Sequence, residues 1–327
     1  MRLGGNGTIN LTANQAPIGM TQAIRVEDGG TALEVDGVAG RLTLNLSGAI
    51  NGADADRHVD FANGGVLNLI GATIDVRRGV AIYAADQSVT IDALSALRAK
   101  DSDSLAVQDA TLLWLAEAGS VTNYGQIVEQ GDVGGPGTTP DEVATGVLLS
   151  GEGTFHNART SATSFGRVAM HGHAVAIEGN GGTIITDGLI QSDKAANQAE
   201  TDAAINSRGA SARSILRNNA NGTVQGIITN TNGDNLGYTT AYEGDIGLNL
   251  VVNAGTINGD VNLGGSPIEN RRAWQGDVFL TAGAGTVNGQ IDGGIGDHDA
   301  YGRSLAASDT YTASNVLGTA QTIGFER

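Results

Sequence analysis

A parallel β-solenoid is the fold this sequence predicts, and three observations predict it. Units of Gly, any residue, then Ile or Val recur along the chain. Short segments of alternating apolar and polar residues lie between them. Fifty glycines accompany only four prolines, and aromatics make up 4% of the chain, a mixture that suits stacked short strands and tight turns better than a compact globule.

The glycine units run in order as "SGAINGAD" at Gly48, "TNYGQIVEQG" at Gly125, "TDGLIQSD" at Gly188, "NGTVQGIITN" at Gly222, "AGTINGDV" at Gly255 and "AGTVNGQI" at Gly285. From Gly188 onward the steps are 34, 33 and 30 residues; earlier they are 77 and 63, close to two or more units with degenerate copies between. A repeat of this size buries its inward side chains only by stacking on the next copy. Glycine is expected to supply positive φ at the corners, and Asn to tolerate the left-handed conformation and stack in ladders.

The segments "ALEVDGV", "RLTLNLSGAI", "GVLNLIGATIDV" and "AVAIEG" read as strands of four to seven residues bounded by Gly, Asn or Asp. In "RLTLNLSGAI" one face carries Leu42, Leu44, Leu46 and Ile50, and the other Thr43, Asn45 and Ser47. An antiparallel sandwich would alternate in the same way, but it would not explain the repeat or the few prolines. The stretch "DALSALRAKDSDSLAVQDATLLWLAEAGSV" has helix-friendly composition, while "ATLLWLA" reads equally as an inward-facing strand with Trp114 filling the bore. Segments 129–145 and 191–213, the first holding two of the four prolines and the second Ala-rich and polar, read as protruding loops on one domain spanning 1–327.

A formal net charge of −17 repels a phosphate backbone, so nucleic acid is excluded as a partner. The absence of cysteine removes disulfides, thiolate metal sites and thiol nucleophiles. No window nears about 20 consecutive apolar residues, so no helix crosses a membrane.

The run "SVTNYGQI…GVLLSGEGTFHN…AVAIEGNGGTIITDGLI…NGTVQGIITN…AGTINGDVNLGG…GAGTVNGQIDGGIGDHDAYG" resembles the passenger region of type V secretion autotransporters, particularly large alphaproteobacterial ones. The resemblance is strongest from about residue 119 to 302. It implies an all-β, right-handed parallel β-helix displayed at, or released from, the bacterial cell surface. Its expected role is that of a non-enzymatic stalk or adhesin whose partners are a host or neighbouring cell surface, a glycan, or a second copy. The family's N-terminal signal and its C-terminal barrel strands are not in this sequence. The expectation is therefore a passenger fragment whose anchoring outer-membrane barrel lies elsewhere.

Several clusters are candidates for chemistry. Asp54, Asp56 and Asp60, with His58 among them, place carboxylates close enough to wrap a Ca²⁺, without EF-hand spacing. Asp297 and Asp299 in "GGIGDHDAY" resemble one copy of a calcium-binding nonapeptide, one residue out of step. His171 and His173 stand two apart, which on a strand aims both at one face. The alternative functions are a polysaccharide lyase or hydrolase, with Asp75 beside Arg77 and Arg78 or Asp101 and Asp103 beside Lys100, and a phage tailspike-like fibre. "TSFGR" around Ser164 lacks a supporting triad context. Trp114, Trp274 and the tyrosines are scattered in sequence, and the expected role of the aromatics is core filling.

Overall fold

The computed structural model describes residues 2–13, 30–51, 56–62, 65–100, 110–130, 144–195, 203–207, 210–229, 234–245, 247–264, 277–293 and 300–303. Within them every regular element is a β-strand. Every strand pairing among these residues is parallel except one, in which Asn235–Tyr238 folds back antiparallel on Thr223–Thr229. From Gly79 to Ala195, each strand bonds the third strand after it, and the strands sort into three parallel ladders.

The first ladder runs through Gly79–Ala84, Ala110–Leu115, Thr145–Leu149, Val175–Ile177 and Ile205–Asn206 to Thr240–Glu243, Asp260–Asn262 and Ile291–Asp292. Its inward register stacks Leu33, Val59, Ile82, Leu113, Val147, Val175, Ile205, Tyr242, Val261 and Ile291. All ten are buried. The second ladder stacks Leu44, Leu67, Val89, Val121, Phe155, Ile184, Leu216, Val251 and Phe279. The third stacks Ile50, Ile74, Leu97, Ile127, Val168, Ile190, Val224, Ile257 and Val287. These columns meet in one apolar core, because period-two alternation sends the β-branched and Leu residues of every strand to the same side.

The corner between the second and third ladders accounts for the repeating glycines. Gly48 pairs with Ala72, and the same position recurs at Ser95, Gly125, Gly166, Gly188, Gly222, Gly255 and Gly285. Ala72 and Ser95 are the degenerate copies inside the 77-residue step, and Gly166 divides the 63-residue step. The reason for glycine differs from the expected one. Gly48 has φ 85°, but Gly125, Gly188, Gly222, Gly255 and Gly285 do not enter the left-handed region. They are glycines because backbone from the preceding copy lies where a Cβ would go: at Gly255 it would stand 2.3 Å from the Gly222 carbonyl oxygen.

Asparagine ladders form at that same corner. Asn123 donates from Nδ2 to Asn157 Oδ1 at 2.9 Å, and Asn218 to Asn253 Oδ1 at 2.8 Å. Asn157, Asn218 and Asn253 also reach the backbone carbonyls of Leu189, Thr256 and Thr286 one copy onward, at 3.0, 3.0 and 2.9 Å. Two further amide ladders lie on outward faces: Asn10–Asn45–Asn68 and Gln191–Gln225–Asn258–Asn288. The stretch with helix-friendly composition contributes the strands Ala96–Lys100 and Ala110–Leu115. Segment 129–145 falls mostly outside the described residues. Within 191–213, parts belong to the strands Leu189–Ala195, Ile205–Asn206 and Ala210–Asn218.

Candidate functional site

Asp54, Asp297 and Asp299 lie outside the described residues, as do Asp101, Asp103 and Trp274. Asp56 is exposed. Asp60 directs both carboxylate oxygens at protein donors: Oδ2 receives the Arg57 guanidinium at 2.7 Å and Oδ1 the Ala62 N–H at 3.2 Å. Among the described residues no three His, Asp or Glu side chains converge as a metal site would require.

His171 and His173 sit in the turn after Arg167–Met170 rather than on a strand. Their side chains are therefore not set in register on one face. His173 faces the Ala203 carbonyl through Nδ1 at 3.3 Å and the Asn206 amide through Nε2 at 3.0 Å. Asp75 forms its ion pair with Arg98, at 2.5 and 2.8 Å, and this bidentate contact ties two successive third-ladder strands. Ser164 belongs to a small turn closed by its N–H on Ser161 Oγ at 3.0 Å.

A buried polar group occurs on the first ladder's inner side, where Tyr242 replaces an aliphatic residue. Its hydroxyl donates to Asn249 Oδ1 at 2.8 Å, and the same oxygen accepts from Ser207 Oγ at 3.0 Å. Asn249 N–H donates to Asp277 Oδ1 at 2.7 Å. Burial pushes the Tyr242 phenol well above its ordinary pKa; the Ser207 hydrogen bond opposes that shift and the Asp277 carboxylate adds to it. The phenol is closed off from solvent, so this network braces the strands and offers no reactive group to a substrate.

The most distinctive outward group lies on the first ladder near its N-terminal end. There Asp60 pairs with Tyr83, and Tyr83 with Trp114, on three successive strands. Trp114 stands between the buried Leu113 and Leu115 and is itself half-buried, so alternation turns the indole outward. This corrects the core-filling expectation for Trp114. The Tyr83 and Trp114 rings meet edge to face with centroids 5.1 Å apart and planes at 89°. Arg57 lays its guanidinium 3.7 Å from the Tyr83 ring centroid while bonding Asp60. Ser150 Oγ accepts the Trp114 Nε1 hydrogen at 2.8 Å and fixes the indole.

Arg57, Asp60, Tyr83, Trp114 and Ser150 thus form an outward ledge that the scattered sequence positions conceal. The available signal was the alternation in "ATLLWL": placing Leu113 and Leu115 inside obliges Trp114 to point out. Segments 101–109 and 131–143 lead into the strands that carry Trp114 and Leu148. No family model matches the chain, and comparison with curated proteins and with solved structures returned no match.

Proposed function

We propose that the chain is a right-handed parallel β-helical rod, passenger-like in the autotransporter sense, that presents contact surfaces at or beyond a bacterial cell surface and performs no bond chemistry of its own. The observation that carries this reading is the three-ladder repeat, in which each strand from Ala110 to Thr229 returns parallel to the third strand before it. Crossovers between parallel strands of one sheet are right-handed in the great majority of folds. A stack of this kind can lengthen without enlarging its core, which suits display at a distance. About ten steps of roughly 4.8 Å give a rod on the order of 50 Å long.

The acidic balance of −17 suits solubility outside the cell and contact with neutral or basic surfaces. The expected anchor is an outer-membrane barrel encoded after this segment. Sequencing the coding DNA on both sides tests the assignment. A secretion signal upstream and amphipathic strands of roughly ten residues downstream support it, and a stop codon directly after Arg327 overturns it. An experimental structure of the purified chain tests the winding, for which a left-handed turn is the opposing result.

A further inference from the structure

We infer that the ledge of Arg57, Asp60, Tyr83, Trp114 and Ser150 is a binding subsite for a neutral carbohydrate, one contact face of the displayed rod. The inference rests on the contact reading above for its biological setting, and on the geometry of the ledge for its chemistry.

Large aromatic residues facing outward have no core to fill. On the same outward register the next strand carries Leu148 and the strands beyond it the small Ala176 and the polar Asn206 and Glu243, so the phenol and the indole on successive strands here continue into an aliphatic side chain before the register turns small and polar. The two rings stand at 89°, so together they form a corner in which one apolar face is bordered by another ring. Sugar rings present C–H groups on their faces and hydroxyls at their rims, and such a ligand needs an aromatic surface bordered by polar groups that can both donate and accept.

This border is present. Asp60 and Arg57 retain part of their side-chain surface, 19% and 33% exposed, and the pair supplies an acceptor and a donor fork to flanking hydroxyls. Ser150 holds the indole nitrogen, which fixes the ring before a ligand arrives and lowers the ordering cost of binding. The charge of the ledge selects a neutral sugar. Arg57 is already neutralised by Asp60 at 2.7 Å, leaving no unpaired cation in the ledge for a uronate or sulfate, and the chain's −17 repels polyanions.

The test is calorimetric titration of the whole 327-residue chain with cellohexaose, maltohexaose and chitohexaose, with polygalacturonate as the acidic comparator. The expected result is binding of at least one neutral hexasaccharide, weakened roughly tenfold or more in Trp114→Ala and roughly threefold in Asp60→Asn. Circular dichroism checks that each variant folds; if Trp114→Ala does not, Asp60→Asn and Tyr83→Phe decide, the latter keeping the ring and retaining most of the binding. Heat from none of the three neutral probes, equal affinity in wild type and variants, or binding of polygalacturonate alone overturns the inference. The titration reads the isolated chain, so a failed anchor search leaves its result standing, and a failed titration leaves the rod and its anchor untouched.

Discussion

The corner between the second and third ladders is built in two ways. Its first four copies place Leu11, Leu46, Leu69 and Ile91 at one register position, and the next six place Asn123, Asn157, Thr186, Asn218, Asn253 and Thr281 there. Where leucine stands, the chain passes through the corner as one strand: Thr31–Asn51 turns at Gly48 with φ 85°, and Val66–Val76 at Gly71 with φ 60°. Where asparagine stands, the strand stops, the side-chain amide takes over the hydrogen bonding, and a new strand starts beyond the glycine. The first solution uses glycine for its conformation and the second uses it for its size.

Between the two regimes lies a junction. Asp92 accepts the N–H groups of Gly71 and Leu94 and the Ser95 hydroxyl, and Ser95 Oγ in turn accepts the Ala72 N–H at 2.9 Å. The carboxylate and hydroxyl do for one copy what the Asn amide does for those after it.

The largest expected effect separates the two glycine roles. Gly255→Ala forces a Cβ onto fixed backbone at 2.3 and 2.4 Å and should cost at least about 3 kcal/mol. Gly71→Ala meets nothing within 4 Å and bears only the left-handed penalty of about 1 to 2 kcal/mol. Hydrogen exchange of the flanking strands under rising urea measures both, and equal losses would collapse the distinction.

Exchanging the corner residues comes next. Leu69→Asn buries an amide in an apolar column where the strand runs on through the corner at Gly71, at about 3 kcal/mol. Asn157→Leu strips the partners from the Leu189 carbonyl and the Asn123 amide, at about 2 kcal/mol. If Leu69→Asn proved the milder of the two, the aliphatic corner would be tolerant of polarity and the comparison would need rebuilding.

Alkali sharpens the contrast from another side. The folded chain holds Tyr242 neutral, so its stabilising contribution is complete below the unfolded phenol pKa of 10.0 and is lost as pH rises beyond it. Urea midpoints measured from pH 8 to about 11 should fall for the strands around Tyr242 before those around Leu69, and Tyr242→Phe should flatten that difference. The smallest effect belongs to the outward ladder: Asn45→Ala removes two part-exposed amide contacts and should shift stability by less than about 1 kcal/mol.

Much of this architecture was legible in the residues. The alternation in "RLTLNLSGAI" located its inward leucines, and the Gly-x-Ile spacing located the corner. The purpose of those glycines was not legible, because a close approach across copies depends on a register that the sequence of one copy does not contain. Gly166 heads the same Gly-x-Val unit in "TSFGRVAM", but a turn closed by Ser161 and Ser164 precedes it in place of an Asn or Asp. The ledge stayed hidden for a related reason. Arg57, Tyr83, Trp114 and Ser150 are separated by 26, 31 and 36 residues, and such separations carry no motif until the strands are paired.

The Asn side chains at the later corners have one further consequence. Asn157, Asn218 and Asn253 each grip the following copy through a backbone carbonyl, and every amino acid provides one. A duplicated segment that keeps the corner glycine meets an acceptor whatever its other residues, so gene duplication can extend this end of the molecule without a matching second change. The Asp92–Ser95 junction works in the opposite direction, its side chains reaching back to the backbone N–H groups of Gly71 and Ala72 in the preceding copy. Growth by duplication is therefore open along the copies that carry these Asn corners.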